Sequence, residues 1–195
     1  MIGAKRPGFT LVEMLVTITI FAILSTVLAQ TFISFNRLQR QVSDKAVVGQ
    51  DLRFATELIV RSARNNQIDY SAQPLPAKGN ILKLITPTGS SIWVGVQPGG
   101  AGGNCQDATV SQCLALSLDS GTTWSPITAK RDEVENFDVY VRPSVSPFVL
   151  SGGAYPNNMQ PFVTLNLTLK YIASNAQDDQ TLQAQTTVSS RVYLR

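Results

Sequence analysis

The sequence predicts an α+β fold in which one long N-terminal helix packs by its second half on an antiparallel β-sheet. Three observations support this prediction. An apolar run near the N-terminus continues into an amphipathic helical pattern that ends near Asn65. Segments that alternate between apolar and polar residues, as half-buried strands do, then follow towards residue 195. Such alternation is typical of an antiparallel sheet with one buried and one wet face.

The apolar run is long enough to cross a membrane. Residues 9–29 are 21 residues with a single ionisable side chain, Glu13, and a helix of about 20 apolar residues spans the hydrocarbon core of a bilayer. Lys5 and Arg6 precede the run. The positive-inside rule therefore predicts a cytoplasmic N-terminus and an extracytoplasmic C-terminal part.

Glu13 is the unusual residue of this segment. A carboxylate inside an apolar helix costs roughly 2.5–3.5 kcal/mol on membrane-insertion scales, so a carboxylate that stays there is expected to have a charged partner. The residues around it are Gly8-Phe9-Thr10-Leu11-Val12-Glu13-Met14. A basic leader, a glycine, an aromatic residue and a glutamate thus stand at fixed spacing before an uninterrupted apolar helix.

This pattern resembles the N-terminal signal of type IV pilins and type II secretion pseudopilins. The resemblance implies cleavage between Gly8 and Phe9 by a membrane peptidase, followed by N-methylation of Phe9. It also implies that Glu13, the fifth residue of the mature chain, pairs with the free N-terminal amine of a neighbouring subunit during assembly. The implied partners are the prepilin peptidase and methylase, the assembly platform in the membrane, and other pilin subunits bound through the N-terminal helix.

With this resemblance, the chain is expected to be a single-pass membrane protein that reaches the cell surface in a pilus after assembly. Four segments are predicted: a leader peptide (1–8), the transmembrane half of the helix (9–29), its amphipathic half (30–66) and an extracytoplasmic β-sheet domain (67–195). The expected function is that of a minor pilin, a structural or priming subunit of a filament used in adhesion, motility or DNA uptake.

One departure from the family pattern favours a minor subunit. Many major pilins have a glycine and a proline within the first helix, whereas this chain has Ala22 and Gln30 in the corresponding region and only Gly49 further on. A type II secretion pseudopilin is the alternative within the family. From other classes, the alternatives are a signal-anchored extracytoplasmic binding domain that does not polymerise, and a secretory signal cleaved before Gln30.

Cys105 and Cys113 lie eight positions apart in a stretch rich in glycine, alanine, serine and glutamine. An oxidising extracytoplasmic compartment favours a disulfide between them, which would contribute on the order of 2–3 kcal/mol in the chain-entropy model. Two unpaired thiols in a loop are the alternative. Two thiols without a histidine make a poor zinc site.

No catalytic residue, cofactor or metal site is predicted, and the chain is not expected to be an enzyme. It has no histidine, which excludes Ser-His-Asp and Cys-His sites and most transition-metal sites. Asp132, Glu133, Glu135 and Asp138 form an acidic cluster. The cluster lacks the glycine-interrupted oxygen spacing of a calcium loop, so the prediction is a solvated turn before a strand.

The charge of the chain gives no reason to expect direct binding of nucleic acid. The 16 basic and 13 acidic residues give a formal charge of +3, and cleavage after Gly8 would remove Lys5 and Arg6 and leave +1. A charge so close to neutral gives no electrostatic argument for a nucleic-acid partner.

Strand patterns dominate the second half of the chain. The alternation and the turn residues between segments predict strands at residues 81–85, 92–96, 114–118, 134–142, 162–172 and 181–194. Thr88-Gly89-Ser90 and Asp119-Ser120-Gly121 are the turn signals of two hairpins. In the last strand, Leu182, Ala184, Val188, Val192 and Leu194 are predicted to point inward.

Overall fold

The computed structural model describes residues 8–71, 75–150, 155, 159–173 and 176–191. Within these residues one long helix, α1 (Leu11–Asn65), precedes eight antiparallel strands. The strands are β1 (Gln67–Ile68), β2 (Ile81–Ile85), β3 (Ser91–Pro98), β4 (Gln112–Ser117), β5 (Ser125–Pro126), β6 (Asp132–Arg142), β7 (Phe162–Tyr171) and β8 (Gln180–Ser189). The predicted α+β layout is confirmed. The chain divides into two compact units, Met1–Ser43 and Asp44–Arg195.

In the first unit, α1 exposes nearly all of its side chains. Leu11 is 82% exposed and Phe21 72% exposed, and the helix contains a stretch long and apolar enough to cross a membrane. The four threonine hydroxyls of this stretch donate hydrogen bonds to carbonyls three or four residues earlier: Thr17 to Met14, Thr19 to Val16, Thr26 to Ile23 and Thr31 to Val27. The hydrogen-bonding capacity of these hydroxyls is therefore satisfied within the helix. This is what a hydrocarbon environment requires, because it supplies no water to bond with them.

In the second unit, the last part of α1 forms the centre of the hydrophobic core. Its buried residues recur at steps of three and four and so lie on one face of the helix: Val48, Leu52, Ala55, Ile59 and Ala63. This face packs in one cluster with the inward residues of both sheets, such as Leu84, Val94 and Leu165.

The first sheet has the order β1-β2-β3-β4-β5. The two predicted hairpins are present: β2 pairs with β3 across Gly89, and Ala115 of β4 pairs with Pro126 of β5. Gly89 has a φ of 85°, a conformation that glycine adopts without steric cost. Glycine is required at position 121 because of a close approach: a Cβ there would lie 2.7 Å from the ring carbons of Trp93.

The second sheet has the order β6-β7-β8, so the described strands form two sheets where the sequence analysis expected one. The first sheet ends at β5, which has only two residues, although the Ile127 N–H still donates to the carbonyl of Leu114 on β4. The chain then starts the second sheet with β6. In β7 the alternation is as predicted, with Val163, Leu165, Leu167 and Leu169 buried.

The last strand is shorter than predicted. It ends at Ser189, because the Arg191 N–H donates to the carbonyl of Arg64 at the end of α1 and the Ser190 hydroxyl donates to the carbonyl of Asn66. The predicted inward positions Leu182, Ala184 and Val188 do alternate with exposed residues. Val192 and Leu194 lie outside the described residues.

Candidate functional site

The predicted cleavage point lies in an exposed, non-helical segment. Gly8, Phe9 and Thr10 precede the first residue of α1, Leu11, and all three are exposed. A Cβ built on Gly8 would have no atom within 4 Å. A peptidase needs a backbone that it can reach, and this segment is exposed and lies outside the helix. Cleavage between Gly8 and Phe9 and methylation of Phe9 stay predictions, and Lys5 and Arg6 lie outside the described residues.

The start of α1 has an N-cap that the sequence analysis missed. Its backbone N–H donates to the Thr10 hydroxyl at 3.3 Å, and the Met14 N–H donates to the Thr10 carbonyl at 3.2 Å. Thr10 is therefore the N-cap of α1 and Glu13 the third helical residue, which is the spacing of a capping box. The Thr-x-x-Glu pattern before an apolar run is the signal that could have revealed it.

The carboxylate of Glu13 is nonetheless placed where an amine could reach it. The side chain is exposed and lies in the first turn of α1. A negative charge in the first turn also stabilises the positive end of the helix dipole. Capping and pairing with a neighbouring amine are thus compatible explanations of Glu13, and a variant that separates them is needed.

The disulfide between Cys105 and Cys113 is formed, and the alternative of two free thiols is wrong. The two Cα atoms are 5.6 Å apart. Cys113 is buried on β4, where it pairs with Gln97 of β3, and Cys105 lies in the loop between these strands. The bridge therefore closes the β3–β4 loop onto the strand at its base.

Loss of this bridge should destabilise the unit Asp44–Arg195. We expect Cys105→Ala/Cys113→Ala to lower the free energy of unfolding by about 2–3 kcal/mol, because the nine-residue loop regains its freedom in the unfolded chain. Urea unfolding of the full chain in detergent measures this, and a reductant should lower the midpoint of the wild type but not that of the variant. Equal midpoints for wild type and variant would contradict the prediction.

The acidic cluster is not the solvated turn that the sequence analysis predicted. Asp132 is fully buried and Asp138 is 6% exposed. The prediction was wrong because β6 already begins at Asp132, and a bulge between Val134 and Asn136 shifts the alternation. Asp132 and Val134 consequently share the core face with Phe137. The described residues contain no group of three potential metal ligands.

Asp132 is a fully buried carboxyl group with a second carboxyl group near it. Neither of its oxygens has a hydrogen-bond donor among the described residues, and Asp51 of α1 is its charged neighbour. Burial is the largest cause and the nearby carboxyl group of Asp51 the second, and together they raise the pKa of Asp132 to about 7. Asp132 therefore keeps its proton to a higher pH than an exposed aspartate does.

Asp138 has the opposite environment. Burial alone would raise its pKa, but hydrogen bonds from Lys78 and Asn136 outweigh burial and lower it. The Lys78 Nζ lies 2.8 Å from the Asp138 carboxylate, and the Asn136 side-chain amide lies 3.0 Å from it. This ion pair links the segment before β2 to β6. Spacing along the sequence could not show that Asp132 and Asp138 differ, because their partners come from distant segments.

Comparison with known proteins gives one match. Residues 3–29 match the model of the prokaryotic N-terminal methylation motif. No curated protein and no solved structure matches the chain. The matched residues include Gly8, Phe9 and Glu13, and the motif implies processing by a prepilin peptidase and membrane assembly with other pilin subunits. The methylation motif and the long N-terminal apolar helix together fit a type IV pilin-like protein.

Proposed function

We propose that the chain is a minor pilin, a structural or priming subunit of a type IV filament that has no enzymatic activity. The observation that carries the proposal is the coincidence of two features at one end of the chain. The methylation motif covers residues 3–29, and the apolar helix in the same region exposes almost all of its side chains. Such a helix needs lipid or other helices around it.

The continuity of α1 supports a minor rather than a major subunit. The helix runs for 55 residues without a break, and the only glycine within it is Gly49. A helix loosens most easily at glycine or proline, where backbone hydrogen bonds are weakest or absent. This α1 would therefore stay helical in an assembled filament, unlike that of a major pilin with both residues.

Assembly then follows from the physical chemistry of the helix. Before assembly, the proposed orientation places the N-terminus in the cytoplasm and the β-sheet unit outside, with residues 9–29 in lipid. During assembly the apolar side chains exchange lipid for the helices of neighbouring subunits. The Phe9 amine, created by cleavage, pairs with the Glu13 carboxylate of a neighbour and thereby sets the axial register.

Intact-mass and N-terminal analysis of the protein from its native membrane tests this proposal. We expect a chain that begins at Phe9 and is heavier by one methyl group. A Gly8→Val variant is the matched control, because it should keep the anchor but retain residues 1–8. A start at Met1 would instead support a plain signal anchor, and a start at Gln30 a discarded secretory signal.

A type II secretion pseudopilin has the same motif and the same helix, so it is the second candidate. Deletion of the gene distinguishes the two machines. Loss of surface filaments with normal secretion supports the minor pilin, whereas loss of secretion with normal filaments supports the pseudopilin. A binding domain that does not polymerise would leave both phenotypes unchanged.

A further inference from the structure

Three arginines line one pocket at the C-terminal end of α1. The pocket has a volume of about 330 Å³ and lies entirely within the unit Asp44–Arg195. Arg61 and Arg64 are exposed residues near the end of the helix, and Arg191 is an exposed residue that follows β8. The other lining residues are Glu57, Val60 and Asn65. Three guanidinium groups and one carboxylate therefore border the same small volume.

Backbone contacts bring the three arginines together. Arg61 and Arg64 are three positions apart on α1, so they are neighbours on one face of the helix. The Arg191 N–H donates to the Arg64 carbonyl at 3.1 Å. The residue before it is held as well, since the Ser190 hydroxyl donates to the Asn66 carbonyl at 2.9 Å. The segment after β8 is thus bound to the end of the helix through backbone groups, and the arginine side chains are not needed for this contact.

The arginine side chains are not needed to cap the helix either. Cations near a helix C-terminus often have this role, because the last four carbonyls have no partner within the helix. Here the Ser62 carbonyl accepts from the Asn66 N–H at 3.1 Å and from the Asn66 side-chain amide at 2.8 Å. The Arg64 carbonyl accepts from the Arg191 N–H. Other donors already occupy these carbonyls, so capping does not explain three guanidinium groups.

The three guanidinium groups also lack an acidic partner. Within the described part of the chain, the salt bridges are those of Lys78 and Lys170, and neither involves an arginine of the pocket. Glu57 lies four residues before Arg61, a spacing that allows pairing on a helix, yet the two form no ion pair. Three positive charges and one negative charge give the lining a formal charge of +2. Like charges one helical turn apart repel each other, and a bound anion would offset this repulsion.

We propose that this pocket binds a phosphate dianion, either free or as the end group of a phosphate monoester. A guanidinium group presents paired N–H donors that match the oxygens of a phosphate. A phosphate monoester has a charge of about −1.5 to −2 at pH 7 and three acceptor oxygens, which matches both the charge of the lining and its three arginines. A carboxylate has one charge and two oxygens, so it would leave a guanidinium group without a partner. The inference does not depend on assembly into a filament.

Calorimetric titration of the full-length protein in a non-ionic detergent tests the proposal, with inorganic phosphate at pH 8 as the probe. Sodium chloride holds the ionic strength constant, because exposed charges attract any anion weakly at low salt. We expect saturable binding of one phosphate per chain with a Kd of about 1 mM or lower. Dimethyl phosphate is the second probe. It is a diester with a single negative charge, and it should bind roughly tenfold more weakly.

Arg61→Gln and Arg191→Gln test the location of the site. Each removes one guanidinium group and keeps a long polar side chain, and the second keeps the backbone bond to Arg64. Each should weaken phosphate binding roughly tenfold. Arg40→Gln is the matched control, because it removes the same charge from α1 outside the pocket and should leave the Kd unchanged. Glu57→Gln should have the opposite effect and tighten binding, because it removes the carboxylate that lines the pocket.

Equal melting temperatures without phosphate show that each variant has folded, and three outcomes would overturn the inference. If the folded wild type shows no saturable binding, the pocket is an ordinary solvated surface, and the proposed function is unaffected. If Arg61→Gln and Arg191→Gln both bind as tightly as the wild type, the phosphate lies elsewhere on the chain. If dimethyl phosphate binds as tightly as inorganic phosphate, the ligand is a phosphodiester, such as that of a lipid headgroup, and not a dianion.

Discussion

Replacing Glu13 by glutamine should leave the chain cleaved between Gly8 and Phe9 but reduce its incorporation into filaments roughly 100-fold. Removal of the carboxylate leaves the neighbour's amine unpaired among apolar helices, at a cost of roughly 2.5–3.5 kcal/mol, and each 1.4 kcal/mol is about a factor of ten. The ratio of the variant to the wild type in sheared filaments, with both at equal levels in the membrane, measures the effect.

Glutamine is the informative substitution because it separates the proposed pairing of the Glu13 carboxylate from capping at the start of α1. A capping box accepts glutamine in place of glutamate, so the Thr10–Glu13 arrangement at the start of α1 survives. Glu13→Ala also removes the charge and should be incorporated as poorly as Glu13→Gln. Thr10→Ala is the matched control, since it removes the cap, costs about 1 kcal/mol of helix stability and keeps the charge. Normal incorporation of Glu13→Gln would show that capping alone explains the residue.

Replacing Asp132 by asparagine should make the protein more stable at pH 8 by a few kcal/mol. At that pH the buried Asp132 carboxylate is ionised and has no donor among the described residues, while the carboxyl group of Asp51 is near it. Asparagine has nearly the same shape, has no charge to bury, and its side-chain amide can donate to Asp51. Urea unfolding of the full chain in detergent at pH 8 and pH 4 measures the difference.

The pH dependence of the folding stability follows from the sign of the Asp132 pKa shift. The folded-state pKa of Asp132, about 7, is higher than its ordinary value of 3.8. The unfolded chain therefore releases this proton first, and stability falls as the pH rises from about 4 to about 7. Three pKa units correspond to about 4 kcal/mol at most. This decline should be absent in Asp132→Asn, and an equally steep decline in the variant would contradict the assignment.

Asp138→Asn is the matched control, because the pKa shift of Asp138 has the opposite sign to that of Asp132. The pKa of Asp138 is lowered by hydrogen bonds from Lys78 and Asn136 despite its burial. The ionised form is thus the stabilising one, and its contribution is present at neutral pH and lost as the pH falls through the folded-state pKa. We expect Asp138→Asn to cost about 1 kcal/mol at pH 8, because Lys78 is largely exposed and its ion pair is screened.

Local patterns were enough to predict most of the elements. The helix pattern ended at the correct residue, Asn65, and the β2–β3 and β4–β5 hairpins lie at their turn residues. These features depend on periodicity and on turn chemistry, which neighbouring residues determine. The start of β6 was misplaced, because a bulge changes the alternation and only the pairing with β7 shows it.

The sequence by itself determined that the chain has an apolar N-terminal helix with a methylation motif. The basic leader, the glycine, the glutamate and the apolar run lie next to one another in the chain, so no tertiary structure is needed to recognise them. It also indicated the disulfide, since Cys105 and Cys113 are close in sequence. Only the tertiary structure decided that Asp132 is buried, that the strands divide into two sheets and that Lys78 pairs with Asp138. These features depend on pairing between residues far apart in the chain, and no local periodicity records which distant segments come together.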